Sequence, residues 1–117
     1  RIVRGKPIIE YQAVAHRLAD MATDIEMARL MVYWGAWQVD QGILSTANAS
    51  KVKLVASEAA LRVSENAIRI MGGAGIMRDH SVGMHHRDAL VYVIGEGTSD
   101  IQRNIISRAL KKDELEL

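Results

Sequence analysis

The central stretch of the chain reads SKVKLVASEAALRVSENAIRIMGG at residues 50–73. Its apolar residues recur every three or four positions, which is the spacing that places side chains on one face of an α-helix. They are Val52, Val55, Ala59, Val63, Ala67 and Ile70. Alanines are frequent on this face, so a neighbouring helix can approach closely. The glycines at 72 and 73 are expected to end the helix.

A second long helix is predicted upstream of this stretch. Its apolar stripe consists of Val14, Leu18, Met21, Ile25, Ala28 and Val32. We expect this helix to start near Pro7, where a missing N–H costs least, and to run to about Gln41, where Gly42 ends it. Either Ser45 or Thr46 can cap the helix that follows. Two long helices joined by so short a link predict an antiparallel hairpin.

Downstream, a third helix is predicted over residues 82–94, and a fourth begins at Thr98 or Ser99. The spacing Ser99-x-x-Gln102 matches a capping box at the start of the fourth helix. We find no internal repeat and no convincing strand. The predicted fold class is all-α, an up-and-down helical bundle that forms one domain over residues 1–117.

The composition excludes several classes of function. The chain has 117 residues with 15 basic and 14 acidic side chains. This near balance of charge does not indicate binding to nucleic acid or to an anionic membrane. It has no cysteine, which excludes disulfides and thiolate metal sites. Its apolar runs are too short to span a membrane. Because the sequence starts at Arg1 and not at a methionine, we expect it to be a fragment of a larger protein.

A single carboxylate stands between two glycines at residues 95–97 (GEG), between the third and fourth predicted helices. Glycine permits unusual backbone angles and close approach of a ligand. The N-terminus of the helix that follows offers free N–H groups and partial positive charge. Glu96 could therefore act as a base there, although an ordinary interhelix loop explains the same residues.

Other candidate sites have simpler explanations. Adjacent histidines such as His85 and His86 point about 100° apart on a helix and cannot chelate one ion together, so we predict no metal site. Trp34 and Trp37 are expected to pack or to form an interface. The acids at positions 20, 24 and 26 are expected on a solvated face, and Arg87 with Asp88 could form an ion pair.

Residues 95–103 read GEGTSDIQR, and they follow the triplet RDA at residues 87–89. Further elements, in chain order, are GKP at 5–7, Gln12, LADM at 18–21, GGAG at 72–75 and I-x-R at 106–108. Taken together, this ordered set resembles the C-terminal helical domain of acyl-CoA dehydrogenases across almost the whole chain. By the same resemblance, about one more helix of the bundle should precede Arg1.

The resemblance implies FAD-dependent α,β-dehydrogenation of an acyl-CoA thioester. In that reaction a carboxylate removes the α-proton while the β-hydrogen leaves as a hydride to the flavin. The family's catalytic glutamate maps to Glu96, whose backbone amide also polarises the thioester carbonyl. Gly97 maps to a position against the substrate.

The resemblance also implies a set of FAD contacts. Arg1, Gln12 and Gly73 map to residues near the FAD of a neighbouring subunit, and Thr98 and Asp100 map to contacts with the other end of the cofactor. Arg69 stands where the family commonly has glutamine, and it could meet the cofactor's pyrophosphate. Two other departures are Arg4, in place of an aromatic residue, and Gly95, in place of a tyrosine that walls the acyl pocket.

The expected full-length protein is a homotetramer, arranged as a dimer of dimers, that passes electrons to an electron-transfer flavoprotein or a similar acceptor. Its expected location is the cytoplasm, or the mitochondrial matrix in a eukaryote. One alternative is an acyl-CoA oxidase-type flavoprotein, which fast reoxidation of the reduced flavin by oxygen would distinguish. Another is a catalytically silent oligomerising module, because the 117 residues alone are expected to lack turnover.

Overall fold

A computed structural model describes residues 1–112 of the chain, and four helices dominate it. They are α1 (Gln12–Asp40), α2 (Thr46–Met71), α3 (Val82–Ile94) and α4 (Ser99–Lys111). The central helix α2 packs against each of the other three. The molecule is elongated, with extents of 57 × 26 × 25 Å. The predicted all-α fold is confirmed. No helix within residues 1–112 is long and apolar enough to cross a membrane.

The N-terminus differs from the prediction. A two-residue strand β1 (Ile2–Val3) pairs antiparallel with β2 (Lys6–Pro7), so Pro7 lies in a hairpin and α1 starts only at Gln12. Arg4 and Gly5 connect the strands with positive φ angles of 50° and 78°, as in the tight turns that join short hairpins. Strands of two residues are too short to show an alternating pattern, which is why they were not predicted.

The predicted hairpin of α1 and α2 is confirmed. Gln38, near the C-terminus of α1, contacts Asn48, near the N-terminus of α2. Further from the link, Asp24 of α1 contacts Arg62 of α2, so the two helices run antiparallel. The hydroxyl of Ser45 caps α2 by accepting a hydrogen bond from the Asn48 amide at 3.1 Å. Gly42 follows α1 with a φ of 69°, an angle that glycine adopts at little cost.

The inward face of α1 departs from the predicted stripe in its second half. Ile25 and Val32 are 43% and 44% exposed, while their neighbours Asp24 and Met31 are half-buried. Along α1, the half-buried and buried residues that face α2 recur about every 3.5 residues, which is roughly the period of helices in a coiled coil. Asp24 therefore lies against α2, where Arg62 donates two hydrogen bonds to its carboxylate at 3.1 and 3.2 Å. This contact raises the pKa of Arg62 above its ordinary value.

Small side chains form the interior. The buried apolar residues of the described chain are four alanines, and larger apolar side chains keep part of their surface exposed. These alanines are Ala47, Ala59, Ala89 and Ala109. The helices α1 and α2 approach closely at Gly35 of α1, where an added Cβ would lie 2.8 Å from a methyl group of Val52. On the alanine-rich face of α2, Ala59 is buried, whereas Ala60 is exposed.

The glycine run ends α2, as predicted, and leads into a 3-10 helix over Gly72–Ile76. Gly72 has a φ of 63°. Gly75 is buried against the backbone of Ile68, so close that an added Cβ would lie 2.8 Å from the Ile68 carbonyl oxygen. The run therefore folds the chain back onto the last turn of α2 before α3 begins.

Candidate active site

The Glu96 turn (residues 95–98) connects α3 to α4 through two consecutive residues in the left-handed region. Glu96 has a φ of 55° and Gly97 a φ of 92°. At Gly97 an added Cβ would lie 2.9 Å from the Gln102 side-chain nitrogen, so a side chain here would have to displace the buried Gln102 amide. Both the conformation and the packing therefore favour glycine at 97. For Glu96, the left-handed backbone is uncommon and requires support from its surroundings.

The start of α4 corrects the predicted capping box. Thr98 is the N-cap, and its hydroxyl accepts a hydrogen bond from the Ile101 amide at 3.4 Å. Ser99 is already the first helical residue, and its hydroxyl is buried without a hydrogen-bond partner within residues 1–112. The side chain of Gln102 does not reach the cap amide. It turns back to the carbonyl oxygens of Glu96 and Gly97.

Glu96 lies at the edge of an apolar groove between α2 and α3, which we call the Glu96 groove. It has a volume of about 490 Å³ and is lined by Lys53, Ala56, Ser57, Ala60, Val91, Tyr92, Gly95 and Glu96. Within residues 1–112, no side chain forms an ion pair or hydrogen bond with the Glu96 carboxylate. The Glu96 amide likewise donates to no backbone carbonyl among these residues. A free carboxylate and a free N–H therefore meet at one residue beside an apolar groove.

The other predicted residues of the Glu96 turn lie close by. Thr98 is occupied as the cap of α4. Asp100 is in the first turn of α4, and its exposed carboxylate accepts a hydrogen bond from Arg103 at 2.9 Å. Arg103 also reaches Glu58 of α2, at 3.8 Å. This ion pair links α4 to the central helix behind the site.

Arginines gather at the opposite end of α2, around a second groove that we call the arginine groove. It has a volume of about 410 Å³ and is lined by Arg1, Val3, Arg4, Ile8, Tyr11, Val14, Arg17, Arg69 and Ile70. The Arg1 guanidinium donates to the carbonyl oxygens of Ile70 and Met71, at 3.3 and 3.2 Å, at the C-terminus of α2. These free helix-end carbonyls attract a cation. The structure thus brings the predicted residues Arg1 and Arg69 together.

Two further predicted residues border this end of the molecule. Gly73 follows directly on the C-terminus of α2, and an added Cβ there would meet no atom within 4 Å. Gln12 is the first residue of α1 and is exposed, with its side-chain nitrogen 3.4 Å from the ring of His16. Its neighbour Tyr11 lines the arginine groove. Both positions are therefore open to a ligand.

Arg69 carries its own counter-ion. Its guanidinium donates to the Glu65 carboxylate, one turn earlier on α2, at 2.5 and 3.0 Å. These hydrogen bonds, with the charge of Arg69, hold the pKa of Glu65 below its ordinary value. The stabilisation from this pair is therefore present at neutral pH and is lost as the pH falls through the lowered pKa. Both side chains are exposed, so this pair orients Arg69 more than it stabilises the fold.

The predicted residues thus form two separate groups along α2. Lys53, beside the Glu96 turn, and Arg69 are 16 residues apart on this helix. At about 1.5 Å per residue this corresponds to roughly 24 Å. The structure brings Glu96, Gly97, Thr98 and Asp100 together at one end. It gathers Arg1, Gln12, Arg69 and Gly73 at the other.

The histidines do not form a metal site in the described structure. No group of three or more potential ligand side chains occurs within residues 1–112. His86 Nδ1 lies 3.1 Å from the hydroxyl of Ser64, which ties α3 to α2, while His85 is exposed. Arg87 and Asp88 are not among the ion pairs of the described residues.

Sequence reasoning missed two residues that donate hydrogen bonds to the Glu96 turn. Lys53 of α2 donates to the Gly97 carbonyl at 2.7 Å, and it is separated from that residue by 44 positions. Gln102 donates to the same carbonyl from α4. The sequence suggested only a capping role for Gln102, and it offered no local signal that Lys53 would reach this turn.

Comparison with known proteins matches these features to one family. The family model described as the C-terminal domain of acyl-CoA dehydrogenase matches residues 1–111. A probable acyl-CoA dehydrogenase of Bacillus subtilis is 47% identical over 92% of this chain and 28% of its own length. A subunit of the caffeyl-CoA reductase–Etf complex of Acetobacterium woodii is 41% identical, again over 92% of this chain and 28% of its own.

Solved structures agree with the sequence comparison. Butyryl-CoA dehydrogenase from Megasphaera elsdenii superposes with a TM-score of 0.91 and 39% identity, over 95% of this chain and 29% of that one. The chain therefore spans less than a third of the length of the relatives it matches. On these grounds the chain belongs to the acyl-CoA dehydrogenase family and corresponds to that family's C-terminal domain.

Proposed function

We propose that this chain is the C-terminal domain of a larger FAD-dependent enzyme that dehydrogenates an acyl-CoA thioester, with Glu96 as the catalytic base. One observation carries the proposal. The Glu96 carboxylate has no partner within residues 1–112, and it stands at the edge of an apolar groove. Glu96 is exposed, so what distinguishes it from other surface acids is its place beside this groove, on a left-handed backbone that its surroundings must support.

The proposed chemistry uses two groups of Glu96. Its carboxylate accepts the α-proton of the acyl thioester as general base. Its backbone N–H, which donates to no backbone carbonyl among the described residues, is available to the thioester oxygen as negative charge develops there. Bound FAD would accept the β-hydrogen as a hydride, which leaves the α,β double bond in the product.

The residues of both groups fit an FAD molecule. Its diphosphate is anionic, and the arginine groove brings four guanidinium groups to one surface: those of Arg1, Arg4, Arg17 and Arg69. The open backbone at Gly73 lets a ligand approach. At the other group, the N-terminus of α4, with Thr98 and Asp100, offers partial positive charge to an anionic group. We propose that the two groups serve two different FAD molecules of an oligomer, because they lie at opposite ends of α2.

The acyl group and the electron acceptor are parts of the same proposal. Gly95 lines the Glu96 groove without a side chain, which leaves that side of the groove open. We therefore expect acyl groups larger than the shortest ones to be accepted. One relative is named as a subunit of a complex with Etf, so an electron-transfer flavoprotein is the proposed acceptor.

The test is to purify the full-length protein that contains this chain and to measure bound flavin and turnover. We expect a flavin absorption spectrum and the oxidation of acyl-CoA substrates with an electron-transfer flavoprotein as acceptor. A series of acyl-CoAs of increasing chain length would locate the preferred size. A protein that binds no flavin, or that binds flavin and oxidises none of the series, would refute the proposal.

A homo-oligomer is proposed because α1 exposes a broad apolar surface. Leu30, Tyr33 and Trp37 share one face of α1 and are 59%, 64% and 52% exposed. Exposed patches of this kind mark interfaces in soluble proteins. Replacing Trp37 with Glu in the full-length protein should lower its assembly state, measured by sedimentation velocity. Replacing the exposed Asp40 with Asn is the control, and equal sedimentation of wild type and W37E would contradict the proposal.

A further inference from the structure

Two side chains from different helices hold the backbone of the Glu96 turn. The Lys53 ammonium, on α2, donates to the Gly97 carbonyl at 2.7 Å. The Gln102 side-chain amide, on α4, donates to the carbonyls of Glu96 and Gly97 at 3.0 and 3.1 Å. Three hydrogen bonds from two helices therefore converge on two adjacent carbonyl oxygens.

The backbone of this turn needs such support. Glu96 is one of two non-glycine residues with a positive φ in the described chain, the other being Arg4 of the N-terminal hairpin. An uncommon backbone conformation persists only where the surroundings fix it. If the carbonyls of Glu96 and Gly97 were free to rotate, the peptide planes of the turn would rotate with them. The direction of the Glu96 side chain would change as a result.

The surroundings of Lys53 and Gln102 indicate that this contact is their main role. Lys53 is half-buried, and it takes part in none of the ion pairs of the described residues. It lines the Glu96 groove, and its ammonium lies 2.7 Å from the Gly97 carbonyl oxygen. Gln102 is only 5% exposed. A buried amide requires partners, and its two acceptors both belong to the turn.

We propose that Lys53, assisted by Gln102, is a positioning residue that keeps the Glu96 carboxylate directed at the bound substrate. The inference rests on the proposed role of Glu96 as the base. Lys53 does not touch the reacting atoms. It acts through the Gly97 carbonyl, and it fixes the peptide that carries Glu96.

The test is Lys53→Met in the full-length flavoenzyme, because methionine keeps most of the side-chain volume and removes the donor. We expect kcat to fall by about 10–100-fold, since small displacements of a catalytic group cost this much. The KM should change by less than about twofold, because substrate binding does not depend on the base. A substrate deuterated at the α-carbon should show a larger isotope effect on kcat, since proton removal becomes slower. Lys53→Arg, which keeps a cationic donor, should recover much of the lost kcat.

Lys51→Met is the matched control. Lys51 lies on the same helix and is also half-buried, but its side chain makes no hydrogen bond or ion pair in the described structure. This variant should retain the wild-type kcat and isotope effect. Gln102→Glu is an independent second variant, because it keeps the shape of the side chain and replaces its donors with acceptors. It should show the same loss of kcat as K53M.

Two outcomes would overturn the positioning role. One is a wild-type kcat and isotope effect in K53M and Q102E. The other is a loss of turnover that lowered flavin content or melting temperature fully explains, with an unchanged isotope effect. Measuring Glu96→Gln in parallel separates the two proposals. If E96Q remains active, the proposed base is wrong, whereas an inactive E96Q beside a normal K53M refutes only the positioning role.

Discussion

Replacing Glu96 with Gln in the full-length flavoenzyme is expected to lower kcat by about 10²–10⁴-fold, the usual contribution of a positioned general base. The amide occupies the same space at the edge of the Glu96 groove but cannot accept the α-proton. Steady-state turnover of an acyl-CoA, normalised to bound flavin, measures the effect. Glu96→Asp should fall between wild type and E96Q, because the carboxylate is retained but moved back by one methylene.

The other properties of the E96Q variant should remain close to those of the wild type. The Glu96 side chain is exposed and has no partner within residues 1–112, so its neutralisation breaks no contact of the described structure. Flavin content and melting temperature should therefore be unchanged, and so should the Kd for acyl-CoA. Asp40→Asn, an exposed acid at the end of α1, is the control for loss of one negative charge. Full turnover in E96Q would exclude Glu96 as the base.

The helix boundaries were largely predictable because their signals are local. Each signal acts within a few residues: a hydroxyl before α2, glycines after it, and glycines on both sides of Glu96. The third helix was predicted over 82–94 and is found at Val82–Ile94. For the cap of α4 the sequence left Thr98 and Ser99 open, because both are good caps, and the structure shows Thr98, so the capping box at Ser99 was wrong.

Contacts between distant residues were not predictable from periodicity. Asp24 was expected in solvent, yet it faces α2 because Arg62 stands opposite it. Lys53 looked like one more polar residue of an amphipathic helix, and its partner lies 44 positions away. For the site, the residues alone made Glu96 a candidate, and the family resemblance made it the favoured one. Its role as the base stays a prediction until turnover is measured.

The largest effect on stability is expected from Gly75→Ala. An added Cβ would lie 2.8 Å from the Ile68 carbonyl oxygen and 2.9 Å from its Cα, and both atoms belong to the backbone of α2. Backbone atoms cannot move aside as the end of a flexible side chain can. On the other side, the Gly75 carbonyl packs close to Gly83 at the start of α3. We therefore expect the free energy of unfolding to fall by about 2–3 kcal/mol, the upper part of the range for overpacked positions.

Gly73→Ala is the matched control, because Gly73 lies in the same glycine run and an added Cβ there would meet nothing within 4 Å. Urea unfolding of the purified chain, followed by tryptophan fluorescence without added flavin, compares the two variants. Leaving flavin out matters, since Gly73 is a proposed cofactor contact and the comparison must report packing alone. G73A should stay within about 0.5 kcal/mol of wild type. If both variants lost the same free energy of unfolding, the loss would come from the flexibility of the glycine run and not from the contact with Ile68. In that case the backbone at the end of α2 would move to accommodate an added methyl group. The carbonyls of Ile70 and Met71, to which Arg1 donates, would then not hold the Arg1 side chain in a fixed position.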